Sequence, residues 1–93
     1  MSQHESARPW FWLRGEGGVG RALVGVRRAA GLTQAEIAGM LGMDRTTVID
    51  IEAERNTAVS RFVGLFNRMG YDLIAVPRGA HVTVEVSDNG AGS

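Results

Sequence analysis

Gly42 and Met43 are all that stand between the end of one predicted helix and the cap of the next. Upstream, Thr33-Gln34-Ala35-Glu36 spells a capping box: the Thr33 hydroxyl accepts from the Glu36 N–H, and the Glu36 carboxylate reaches back to the Thr33 N–H. Ala35, Ile37, Ala38 and Leu41 supply an apolar face before Gly42 ends that helix. Downstream, Asp44 is the N-cap of a helix running to about Ala53, with Val48 and Ile51 facing the core at i, i+3. A gap that short forces the two helices to cross steeply.

The flanking segments fill in around this pair. Leu23, Val26 and Ala30 recur at helical spacing and predict a first helix over 19–30, stopped by Gly31. A last helix is expected from a Thr57 cap to about Met69, with Val59, Phe62, Val63, Phe66 and Met69 as its core stripe. The period then changes. Tyr71, Leu73 and Ala75 alternate with Asp72, Ile74 and Val76; Pro77-Arg78-Gly79-Ala80 is a turn cluster; Val82, Val84 and Val86 share one face. This predicts a C-terminal β-hairpin. A lone hairpin is marginal in water, so a second copy from a partner chain is expected to support it. The chain therefore divides into an arm (1–18), a helical domain (19–70), a β-hairpin (71–87) and a disordered tail (88–93).

Composition removes several classes. Ninety-three residues allow one small domain, too short for a dinucleotide-dependent α/β enzyme, a kinase or a barrel hydrolase. Ten Arg balance ten acids, and within 19–70 seven Arg face five acids, leaving only +2. The absence of Cys excludes disulfides, thiolate metal sites and Cys nucleophiles, and points to an intracellular protein. The apolar runs are too short to span a membrane, and the N-terminus lacks the pattern of a secretion signal. No Ser/His/acid triad or placed carboxylate pair supports an enzyme. His4 and His81 are isolated, without metal-ligand spacing. Gly15-Glu16-Gly17-Gly18-Val19-Gly20 matches G-x-G-x-x-G, but with no strand expected before it, it reads as a flexible lead-in. Trp10-Phe11-Trp12 call for burial, most simply on the protein's own dimer; docking to another protein is the sharper alternative.

The run Leu32-Thr33-Gln34-Ala35-Glu36-Ile37-Ala38, then Leu41-Gly42-Met43-Asp44-Arg45-Thr46-Thr47-Val48-Ile49-Asp50-Ile51-Glu52, resembles the phage-repressor-like (Xre) helix-turn-helix family. The resemblance implies a mainly α, lambda-repressor-like bundle of four helices, here followed by the hairpin. It also implies double-stranded operator DNA as partner, no cofactor, no enzymatic activity and a cytoplasmic protein that joins the nucleoid when bound to DNA. In that family the third helix lies in the major groove. The base-reading positions implied are Arg45, Thr46, Thr47, Ile49 and Asp50. Phosphate contacts are implied for Thr33, Gln34, Arg55, Asn56, Thr57 and Arg61, and a structural ion pair for Arg27 and Glu52.

Asp50 departs from relatives, which often carry a basic or neutral polar residue there. Its useful role would be to accept from a cytosine amine. With Ile49 apolar beside it, non-specific affinity should be low, and a dimer is needed for useful affinity. The passage from the last helix into an apolar strand is similar to HipB-type antitoxins, which repress their own operon and bind a kinase-fold toxin. That likeness implies a homodimer, with dimerisation through Tyr71, Leu73, Ile74, Val76, Val82, Val84 and Val86. A stand-alone Xre-type regulator and a protein-interaction module on the same scaffold are the alternatives.

Overall fold

The computed structural model describes residues 8–86. The expected tail, 88–93, and His4 lie outside them. The elements in order are β1 (Phe11–Leu13), α1 (Gly18–Ala29), α2 (Gln34–Leu41), α3 (Arg45–Glu52), α4 (Thr57–Arg68) and β2 (Leu73–Ala75). The protein is mainly helical, with one small two-stranded antiparallel sheet. No helix among the described residues is long and apolar enough to cross a membrane.

Local chemistry sets the helix ends. The Glu36 N–H donates to Thr33 Oγ1 at 3.0 Å and the Thr33 N–H to Glu36 Oε1 at 2.8 Å, closing the capping box of α2. Gly42 then adopts φ 67°, a left-handed stop that costs a glycine little. Asp44 begins α3 in an extended conformation, without a side-chain cap bond. At α4 the cap is Asn56, whose Oδ1 accepts from the Val59 N–H at 3.2 Å. Thr57, expected as the cap, is instead the first helical residue.

α1, α2 and α3 pack into the central unit, with α1 and α2 both against α3. Its buried apolar residues are small: Val19, Ala22, Ala38 and Val48, joined by Val63 from α4. Two glycines allow the closest approaches. A Cβ on Gly20 would lie 2.2 Å from the Glu52 carbonyl oxygen, so α1 reaches the end of α3 only as bare backbone. A Cβ on Gly25 would lie 2.3 Å from the Phe11 ring, which occupies that notch on α1.

The four helices do not close into a four-helix bundle. α4 packs along α1 and β2, at the edge of the trio. The expected core stripe of α4 is split: Val63 is buried and Val59 half-buried, whereas Phe62, Phe66 and Met69 are exposed. A helix attached along one edge inserts only the side chains on that edge, and here these are the valines. Val26 and Leu41, also expected on inward faces, are exposed as well.

The expected C-terminal hairpin does not form. β2 pairs with β1, the aromatic block of the N-terminal arm, in the register Phe11↔Ala75, Trp12↔Ile74 and Leu13↔Leu73. Phe11, Leu13, Leu73 and Ala75 are half-buried, while Trp12 and Ile74 face outward. Arg14 lies 4.0 Å above the Trp12 ring and 3.9 Å from Asp72, continuing the pairing beyond the ladder. The turn is present, with the Ala80 N–H donating to the Pro77 carbonyl at 3.0 Å. Residues 81–86 leave it without forming a strand, and Val82, Val84 and Val86 are exposed. β1 wins this pairing because Phe11 has a notch to fill on α1, whereas the valine segment is docked on nothing in its own chain.

The arm is thus structured from its aromatic block onward. A strand does precede the glycine run, contrary to expectation. Yet the Gly20 N–H at the start of α1 already donates to the Glu54 carboxylate, which would repel a phosphate. The two strands are antiparallel, so there is no βαβ unit either.

Candidate nucleic-acid interface

The site is built on a clasp that fixes three helices together. Arg27 on α1 donates from Nε to Glu52 Oε2 at 2.6 Å and from Nη2 to Glu52 Oε1 at 3.2 Å. Its Nη1 donates to the Leu32 carbonyl at 2.9 Å, which ties the α1–α2 loop to the same guanidinium. Gln34 on α2 donates from Nε2 to Glu52 Oε1 at 2.9 Å. The Arg27 and Glu52 side chains are only 12% and 7% exposed. The Arg27 hydrogen bond holds the Glu52 carboxyl below its ordinary range, helped by Gln34 and by the charges of Arg27 and Arg28, and opposed by burial. The same hydrogen bond raises Arg27 above its already high value. The pair is therefore ionised at any pH at which the protein would meet DNA.

With the clasp and Val48 facing inward, α3 presents its first turn outward. Arg45 and Thr46 are exposed; Thr47, Ile49 and Asp50 are half-buried. Arg45 also borders a shallow open pocket with Arg28, Gly31, Thr33, Gln34 and Ala35. That pocket lies at the N-terminus of α2, where the capping box engages the Glu36 N–H and leaves those of Gln34 and Ala35 without intrahelical acceptors. Arg28 and Arg45 place positive charge beside that helix start. Arg28, one of the arginines between the apolar positions of α1, is not among the expected site residues. Its only signal is its position three residues before Gly31, which sets it at the α1 end facing the start of α2.

Gln34 sits with its amide nitrogen on Glu52 and so belongs to the scaffold as much as to the surface. Asp50 is paired: its Oδ1 accepts from Arg55 Nε at 3.1 Å and lies 3.1 Å from Nη2, while the Arg55 N–H donates to the Asp50 carbonyl at 2.7 Å. These two residues, read from the sequence as a base reader and a phosphate contact, are brought together as one exposed ion pair. Arg55 thereby offsets the Asp50 carboxylate on α3. Asn56 spends its carbonyl oxygen on capping α4. Thr57 and Arg61 are exposed on the first turns of that helix.

Glu54 was also missed. It holds the α3–α4 turn at φ 61°, uncommon for a residue with a Cβ. Its carboxylate accepts from the Gly20 N–H and, at 2.9 Å, from Ser60 Oγ. It thus joins the starts of α1 and α4 across the end of α3, a link between distant residues that no local spacing reveals.

Of the residues expected at a dimer contact, Leu73 and Ile74 lie in β2, paired with β1 of the same chain. Tyr71, Val76, Val82, Val84 and Val86 are exposed. Among the described residues, no three His, Asp or Glu side chains are grouped to hold a metal ion.

Comparison with known proteins agrees with this geometry. The Helix-turn-helix family model matches residues 26–74, more than half of the chain, from the end of α1 into β2. No curated protein and no solved structure gives a significant match. The matched span contains the capped helix pair α2–α3 and its two-residue turn, and the chain belongs to the phage-repressor-like (Xre) helix-turn-helix family of DNA-binding transcription regulators.

Proposed function

We propose that this protein is a sequence-specific transcriptional repressor that binds a two-half-site operator as a homodimer, in the cytoplasm of its cell. The observation that carries the reading is the exposed pair Arg45–Thr46 at the start of α3, set beside the Arg28/Arg45 pocket at the start of α2. The first would read base edges and the second would hold a phosphate, so one protomer has both a reader and an anchor. Thr33, Gln34, Arg55, Asn56, Thr57 and Arg61 would add phosphate contacts on either side, while Thr47, Ile49 and Asp50 would approach the bases behind Arg45. We further propose an autoregulatory role in a HipBA-type operon, with a kinase-fold toxin as second partner. Support for that setting is the short apolar strand Leu73–Ala75 that comes next after α4 in the chain.

The test is a salt-controlled shift and footprinting assay on the DNA upstream of the protein's own coding region. Binding that resists competitor and protects two half-sites one helical turn apart is expected. Binding lost to competitor at physiological salt would overturn the repressor reading and favour a protein-interaction module. Co-purification of a HipA-like kinase encoded in the same operon tests the antitoxin role, and a solitary gene would defeat it.

A further inference from the structure

We propose that the outer face of α4 is the seam through which two copies of this chain associate. This deepens the dimeric part of the proposed function and rests on it. Phe62, Leu65, Phe66 and Met69 recur at i, i+3, i+4 and i+7, so they form one continuous stripe along the helix. They are 62%, 60%, 37% and 70% exposed. Phe62 and Phe66 already meet edge to face, with ring centroids 5.4 Å apart, which gives the stripe a defined surface. Arg61 and Arg68 lie roughly a quarter turn to one side, where they stay solvated at the rim.

The buried core of the described residues contains only Val and Ala; no Leu, Ile, Phe, Trp or Met is buried. Large side chains outside and small ones inside are what a protomer shows when part of its core is completed by association. With Tyr71, 67% exposed just beyond the helix, the stripe offers on the order of 700 Å² of apolar surface. One partner in a standard stable interface contributes about 800 Å². Residues 1–7 and 87–93 contain no large apolar side chain except Met1. A second copy matches the stripe without any new chemistry, because a two-fold contact needs only a self-complementary patch.

Sedimentation equilibrium of the full chain without DNA tests the seam apart from the DNA reading. The wild type is expected to be a dimer, and Phe62→Glu to weaken it about 30-fold or more, as loss of a central interface residue does. Circular dichroism should be unchanged, because Phe62 is exposed. A monomeric wild type or a dimer indifferent to Phe62→Glu would overturn the seam. So would truncation after Ala80 that alone yields a monomer, since it would place the contact on Val82–Val86. Failure of operator binding with an intact dimer would refute the repressor reading and leave the seam standing.

Discussion

Glu52 receives hydrogen bonds from α1 and α2 while sitting on α3, so one carboxylate decides how three helices meet. Its folded pKa lies below the ordinary 4.5. Its stabilising contribution is therefore complete above the unfolded value and is lost as pH falls through the folded one. Thermal melts across pH should show the wild-type Tm dropping on acidification below that range. Glu52→Gln should lower Tm at neutral pH and make the acid-side fall shallower; an unchanged acid slope would show that other carboxylates carry it. On the DNA side, Arg45→Ala should cost about 1–3 kcal/mol and relax preference at one base pair, read by binding to a panel of single-base operator variants. An equal loss on every sequence would make Arg45 a phosphate contact. Asp50→Asn frees Arg55. Because the ion pair is exposed, stability should move by no more than about 0.5 kcal/mol. Non-specific DNA affinity should rise, with the log–log salt slope steeper by about one contact. The Arg27–Glu52 pair was legible in the sequence through family resemblance, whereas Gln34, expected as a phosphate contact, joins it only in the structure. The Asp50–Arg55 pair was not, because the two meet across the end of α3, where helical spacing no longer applies.

At the scale of elements, α1 is shaped by what it allows to approach. Gly25→Ala should gain about 1 kcal/mol in helix propensity. It should lose more, about 1–3 kcal/mol, by driving a Cβ into the Phe11 ring. The net effect in the wild type is destabilising. In a Phe11→Ala background the notch is empty, and the same substitution should become stabilising. A double-mutant cycle by chemical denaturation measures the coupling directly, and additivity would mean that Phe11 does not occupy the notch in solution. The ends of α2, α3 and α4 were readable to within a residue, because caps and glycines act locally. The direction of the α4 stripe was not. Its period shows which residues share a face, but only its neighbours determine which edge of that face is covered.

For the whole molecule, the two ends of the domain are tied through β1 and β2. Removing residues 1–14 should therefore release β2 and bare the α1 notch together. We expect a lower Tm and faster proteolysis between Gly70 and Pro77, with α2 and α3 still helical; unchanged proteolysis at β2 would mean that the strand is held without its partner. The alternating valines of 82–86 satisfy every local criterion for a strand, yet Leu73–Ala75 pairs with a block more than fifty residues earlier in the chain. Periodicity reports how a segment divides its faces and is silent on its partner. By itself, the sequence determined the capped helix pair, the two-residue turn and hence the family, because short-range hydrogen bonds and glycine geometry depend only on adjacent residues. Tertiary structure alone decided that the aromatic arm closes the sheet, that Arg28 joins Arg45 at the start of α2, and that the large apolar face of α4 is left outside. Each of these depends on which surfaces compete for the same neighbour, and that competition is settled only when the whole chain is packed.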